Sequence, residues 1–128
     1  MVDPTPAERR AVAEVRECFQ DYERALIAND VEAMGEWFWD DPAVVRFGLA
    51  ECQYGPDEIA AWRRLTAAVP ADRHHVRTTI TAHGPDVVVV ALEFANGERP
   101  GRGRQSQVWR STPDGWRVVH AHVSMLAD

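Results

Sequence analysis

Gly103-Arg104-Gln105-Ser106-Gln107-Val108-Trp109, continuing through Asp114-Gly115-Trp116 to His120-Ala121-His122-Val123-Ser124, is the stretch on which the fold turns. Two alternating segments meet at Ser111-Thr112-Pro113-Asp114-Gly115, where proline, aspartate and glycine supply turn backbone, so the stretch reads as a long β-hairpin. In its second arm Val119, Ala121 and Val123 fall on one face and His120, His122 and Ser124 on the other, the alternation of a half-buried strand. In its first arm Gln105, Gln107 and Trp109 share a side, opposite Arg104, Ser106 and Arg110. Trp109 marks the glutamine side as the inner one. Two amides on the inner face of a sheet need hydrogen-bond partners, and a pocket supplies them.

Upstream of the hairpin the chain begins with helices. Thr5-Pro6-Ala7-Glu8 is a capping box with proline at the first helical position, and Val12, Val15, Phe19, Tyr22 and Leu26 follow at steps of three and four. Asn29-Asp30 closes that long helix and opens a shorter one through Met34 and Trp37. After the turn Asp40-Asp41-Pro42, residues 43–48 read as a short strand with Val44 and Arg46 on one face and Val45 and Phe47 on the other. Gly55-Pro56-Asp57-Glu58 starts a third helix carrying Ile59, Trp62 and Leu65, which stops before Pro70. Strands are expected over residues 76–81 and 87–94, with turns at Gly84-Pro85-Asp86, Asn96-Gly97 and Pro100-Gly101. Three helices followed by an antiparallel meander predict a single α+β domain over residues 1–128, its curved sheet wrapped around the first helix.

Composition narrows the function. Fourteen basic against twenty acidic side chains give a net charge of -6, with no basic stripe, which argues against nucleic acid or an anionic membrane as partner. Every basic residue is arginine, so no lysine Schiff base can form and any buried cation other than histidine must be a guanidinium. Cys18 and Cys52 lie far apart without metal-ligand spacing, and with no leader peptide they read as reduced thiols of a cytoplasmic protein. No apolar run reaches the length of a membrane span.

Several residues stand out for their chemistry. Arg46, in mid-strand between Val45 and Phe47, either pairs with a carboxylate such as Glu51 or grips a substrate carboxylate with its fork. Glu93 lies in the apolar run 87–94, where a carboxylate is costly; paired with Arg46 it is structural, and free in the interior it would suit a general base for water. Gln105 and Gln107 either bridge strands or orient a urea-like group, donating and accepting together. His120 and His122 have the spacing of two metal ligands on one strand face, but zinc needs at least three from protein and no third is evident, so no metal is expected. That face, with Ser124 and Arg110, suits contact with a second copy of the chain, giving a dimer or larger homo-oligomer.

Val45-Arg46-Phe47-Gly48, Gly103-Arg104-Gln105-Ser106-Gln107, Gly115-Trp116-Arg117-Val118-Val119 and Ala121-His122-Val123-Ser124, in this order of elements, resemble the nuclear transport factor 2-like superfamily. Its cone-shaped, cystatin-like fold is shared with ketosteroid isomerase, scytalone dehydratase and polyketide cyclases, and with the ring-forming association domain of calcium/calmodulin-dependent kinase. Within it the strings look like the AtzH-like/HpxZ (oxalurate catabolism) group. The resemblance implies a decarboxylating amidohydrolase of small ureido acids such as 1,3-dicarboxyurea, cofactor-free, with carbon dioxide leaving after C–N cleavage because carbamates are unstable. It also raises Tyr22, since ketosteroid isomerase carries its oxyanion-donating tyrosine on the equivalent helix. The chain departs from the group at His120, where a small apolar residue is expected. A second function of another class stays open: a non-catalytic module that binds a small anion or oligomerises beside an amidase.

Overall fold

The computed structural model describes residues 2–127. Helix α1 (Pro6–Ala28) is fixed at its start by reciprocal bonds, Glu8 N–H to Thr5 Oγ1 at 3.1 Å and Thr5 N–H to Glu8 Oε1 at 3.0 Å. The other oxygen of Glu8 accepts from Gly84 N at 3.0 Å and pins the helix to a distant turn. Asn29, left-handed at φ 54°, closes α1. Asp30 then caps α2 (Val31–Glu36), its carboxylate accepting from Ala33 N. Strands β1 (Val45–Phe47) and β2 (Cys52–Tyr54), helix α3 (Pro56–Leu65), and strands β3 (Arg73–Ala82), β4 (Val87–Asn96), β5 (Arg102–Thr112) and β6 (Gly115–Leu126) complete the chain.

One six-stranded sheet runs in the order β2-β1-β6-β5-β4-β3. The β3–β6 portion is the expected antiparallel meander. The first strand, however, joins it parallel to β6, with Arg46 opposite Ala121. The sheet's inner face presents Val88, Val90, Leu92, Phe94, Trp109, Val118 and Ala121 to the buried stripe Ala11, Val15, Phe19, Tyr22 and Leu26 of α1. Among the described residues no helix is long and apolar enough to cross a membrane.

Four local expectations are corrected. Val119 does not share a face with Ala121: one step on β5, Val108 to Trp109, faces two on β6, His120 to Val118, so Val119 is the extra residue of a bulge and Val118 points inward instead. Leu65 is 89% exposed, and the buried face of α3 is Ile59 with Arg63, one turn apart. Residues 52–54 form an edge strand that was not expected, and β3 begins at Arg73 rather than at residue 76, with an irregularity between His75 and Arg77.

Candidate functional site

Between the open end of the sheet and the helices lies a cavity of about 320 Å³, lined by residues of all the layers. Tyr22 comes from α1, Arg46 from β1, Trp62 and Arg63 from α3, Arg73 from β3, Phe94 and Asn96 from β4, and Gln105 and Gln107 from β5. A space of this size accommodates a small molecule.

On one wall two guanidinium groups lie against a single indole. The Arg46 guanidinium carbon is 4.1 Å from the Trp62 ring centre and that of Arg63 is 5.0 Å away. Arg46, 5% exposed, donates from Nη1 to Gln53 Oε1 at 3.0 Å and to Glu51 Oε1 at 3.2 Å. Gly48 makes that ion pair feasible, because a Cβ there would collide with the Glu51 carboxylate and crowd Arg46. Burial first, and then the neighbouring charge of Arg63, lowers the pKa of Arg46 below the usual arginine value, while Tyr22 and Glu51 act in the opposite direction. Arg63 Nη2 donates to the Tyr22 hydroxyl oxygen at 2.8 Å. With its oxygen receiving that bond, the Tyr22 O–H remains a donor for something else.

The other wall is organised by Glu23, next to Tyr22 on α1 and buried. Arg73 grips it from Nε at 3.2 Å and Nη2 at 3.4 Å, His75 Nε2 lies 2.8 Å from Oε1, and Gln105 Nε2 donates to Oε2 at 3.2 Å. Burial alone would raise the Glu23 pKa, but His75, the charge and hydrogen bonds of Arg73, and Gln105 together outweigh it, so the carboxyl sits below its usual value. Arg73 also donates to Gln105 Oε1 at 3.1 Å and lies 3.8 Å above the Phe94 ring, whose own position requires Gly103, since a Cβ there would strike the ring. Gln107 accepts from Trp109 Nε1 at 3.0 Å, which leaves its amide nitrogen to serve the cavity.

Tyr22, Arg46, Gln105 and Gln107 therefore line one cavity. Glu93 does not. The inner residues of β4 are Val88, Val90, Leu92 and Phe94, so the odd-numbered Glu93 faces outward, 44% exposed, and pairs with Arg102 at 3.3 Å. A half-exposed carboxylate on the outer face cannot serve as a base for water inside the cone, and the cost that made Glu93 notable is not incurred. Among the described lining residues Glu51 is the one carboxylate. His120 and His122 lie on the outer face against Phe47, with ring centres 5.8 and 5.6 Å from its ring. Among the described residues no group of three His, Cys, Asp or Glu is placed to hold a metal ion.

Sequence reasoning missed Arg63, Glu23, Arg73 and Asn96. Two had a signal: Glu23 is four residues after Phe19 and Arg63 four after Ile59, so each extends an apolar stripe by one helical turn. Two atoms at the site are buried without a hydrogen-bond partner, Arg63 Nε and Asn96 Oδ1.

Comparison with known proteins identifies the family and the fold. The AtzH-like family model matches residues 7–128. A cystatin-like fold protein from Burkholderia xenovorans LB400 is 46% identical, with 93% of this chain and 94% of that one covered and a TM-score of 0.88. A protein of the DUF3225 family from Pectobacterium atrosepticum SCRI1043 is 41% identical over 92% of each chain, also with a TM-score of 0.88. A nuclear transport factor 2-like superfamily protein from Salmonella enterica serovar Typhimurium shares the fold at 21% identity, covering 94% of each chain with a TM-score of 0.75. None of the curated proteins matches significantly.

Proposed function

The chain belongs to the AtzH-like family, and from that premise we propose that its cavity binds a small ureido acid and hydrolyses it with loss of carbon dioxide, without a cofactor. The observation that carries the reading is the convergence of the Tyr22 hydroxyl with the Arg46 and Arg63 guanidiniums in one small space. Water adds to the ureido carbonyl carbon, and the oxyanion that forms accepts the Tyr22 O–H. Glu51, beside Arg46, takes the proton from water in place of the outward-facing Glu93. As the oxyanion collapses, the C–N bond breaks with its electron pair going to nitrogen, Glu51 gives that nitrogen the proton it took from water, and the carbamate fragment loses carbon dioxide. Both protein bonds of Arg46 leave from Nη1, so its remaining N–H groups are free to meet a carboxylate of the substrate. The amide nitrogen of Gln107 offers a donor to a urea-like group.

Release of carbon dioxide and ammonia from a panel of ureido acids tests the reading; a folded protein that turns over none of them would remove it. Arg46→Lys keeps the charge but loses the fork. It should suffer nearly as badly as Arg46→Met, each lowering kcat/KM by about ten- to a hundredfold. Equal turnover by parent and a folded Arg46→Met protein would make the residue a structural ion pair with Glu51. A specific observation favours a second reading, a small-anion binder without catalysis: Glu51 is already held by Arg46 and by Ala50 N at 3.0 Å.

On either reading the protein works as a homodimer or larger assembly. The outer face carries Phe47 in edge contact with Tyr54, His120 and His122, and Tyr54 is 57% exposed. Light scattering at micromolar concentration should give at least twice the chain mass, and a monomer would remove the idea. A reducing cytoplasm suits Cys18 and Cys52, both free.

A further inference from the structure

Three arginine side chains are buried around the cavity, and two of them have counter-charges. Arg46 has Glu51 and Arg73 has Glu23. Arg63, 6% exposed, has no carboxylate partner among the described residues. Its Nη2 is spent on a neutral hydroxyl, and its buried Nε–H has no partner. Trp62 offers the face of a ring, which attracts a cation but does not neutralise it. A fully buried guanidinium is stable in such a place only when an anion meets it. A structural role does not require the charge here, since packing on Trp62 and a bond to Tyr22 are both within reach of a neutral side chain.

We propose that Arg63 is the anion anchor of the cavity: a carboxylate of the ligand meets its unpaired guanidinium and supplies the charge that Glu51 and Glu23 leave uncovered. The proposal rests on the small-anion reading of this site and not on hydrolysis. Arg46 and Arg63 then have different tasks. Arg46, neutralised in place, orients the ligand, whereas Arg63 provides most of the electrostatic attraction. Because Arg63 also holds the Tyr22 hydroxyl, anchoring the anionic end sets the rest of the ligand beside the phenol.

Calorimetric titration of the full chain with malonate, a small dicarboxylate with no scissile C–N bond, tests this, with malonamide as its neutral counterpart. Malonate should bind the parent, and Arg63→Met should weaken it by about ten- to a hundredfold. Arg63→Lys should fall between the two, keeping a charge but losing the planar fork, and malonamide should respond to neither change. Arg64→Met removes an exposed arginine from the same helix, outside the cavity, and should bind malonate as the parent does. Circular dichroism checks each fold, and Arg63→Lys carries the test should Arg63→Met fail to fold. The proposal is overturned if malonate does not bind the parent, if folded Arg63 variants bind it unchanged, or if Arg64→Met weakens it equally. Malonate binding that depends on Arg63 in a protein releasing no carbon dioxide from ureido acids would uphold the anchor and remove only the hydrolase.

Discussion

Tyr22→Phe is expected to lower kcat on ureido acids by about 10²–10³-fold while leaving KM within a few-fold of the parent. The reason is directional. Arg63 donates to the phenol oxygen at 2.8 Å, so the hydroxyl hydrogen must point elsewhere, and the cavity is where a partner for it would stand. A ground-state carbonyl gains little from that hydrogen, whereas a full oxyanion in a water-poor space gains much, which is why the loss belongs in kcat. Phenylalanine keeps the ring in its place among Leu26, Phe38 and the other buried residues of the core, and Tyr22 meets Phe38 edge-on at 6.2 Å. Some stability is lost too, since Arg63 Nη2 then has no acceptor, a cost of about 1–3 kcal/mol. Steady-state kinetics beside a thermal melt separate the two effects. A Tyr22→Phe enzyme with parental kcat would leave the tyrosine as a support for Arg63 and nothing more.

Why those residues meet was partly legible in the sequence. Strand alternation correctly put Gln105, Gln107 and Trp109 inside, because a period of two leaves no choice once one large residue on that side is known to be buried. It also put Arg46 on one face with Val44 without saying which way that face turned, and both are buried. The same rule, applied to β4, would have turned Glu93 outward; the unbroken run of apolar residues hid the alternation, because valines occupy both faces of the strand. Long-range partners were not legible. Nothing in the sequence alone says that β1 adds parallel to β6, yet that pairing brings Arg46 opposite Ala121 and so into the cone. Arg63 was hidden by a plausible competitor: Ile59, Trp62 and Leu65 make an apolar stripe at acceptable spacing, but the helix buries the side that carries Ile59 and Arg63. A charged residue is passed over when the burial of a helix face is judged by hydrophobicity alone. Functional clefts are where that judgement fails.

The largest effect on stability should come from Glu23. Replacing it with alanine leaves the Arg73 guanidinium, whose side chain is 4% exposed, buried without its bidentate partner and strips Gln105 of an acceptor. Breaking a buried pair from one side costs about 3–5 kcal/mol, a fall in Tm of roughly 10–20 °C for a domain of this length. Glu23→Gln should recover part of the loss at Gln105 but present an amide donor where Arg73 needs an acceptor. The acid limb of the stability curve should change with it. The folded pKa of Glu23 is depressed, with burial opposing and His75, Arg73 and Gln105 prevailing. Its stabilisation is therefore complete above the unfolded carboxyl pKa of about 4.3 and is lost as pH falls from there through the lower folded value. Chemical denaturation from neutral pH downward should show the parent losing its advantage over Glu23→Gln in that acidic window, and the two curves running parallel above it. Arg73→Met combined with Glu23→Gln should cost less than the sum of the single changes, because the second substitution removes the charge stranded by the first. Strict additivity, with an unchanged acid limb, would mean that Glu23 and Arg73 are not coupled in solution, and the wall of the cavity that holds Gln105 would need another support.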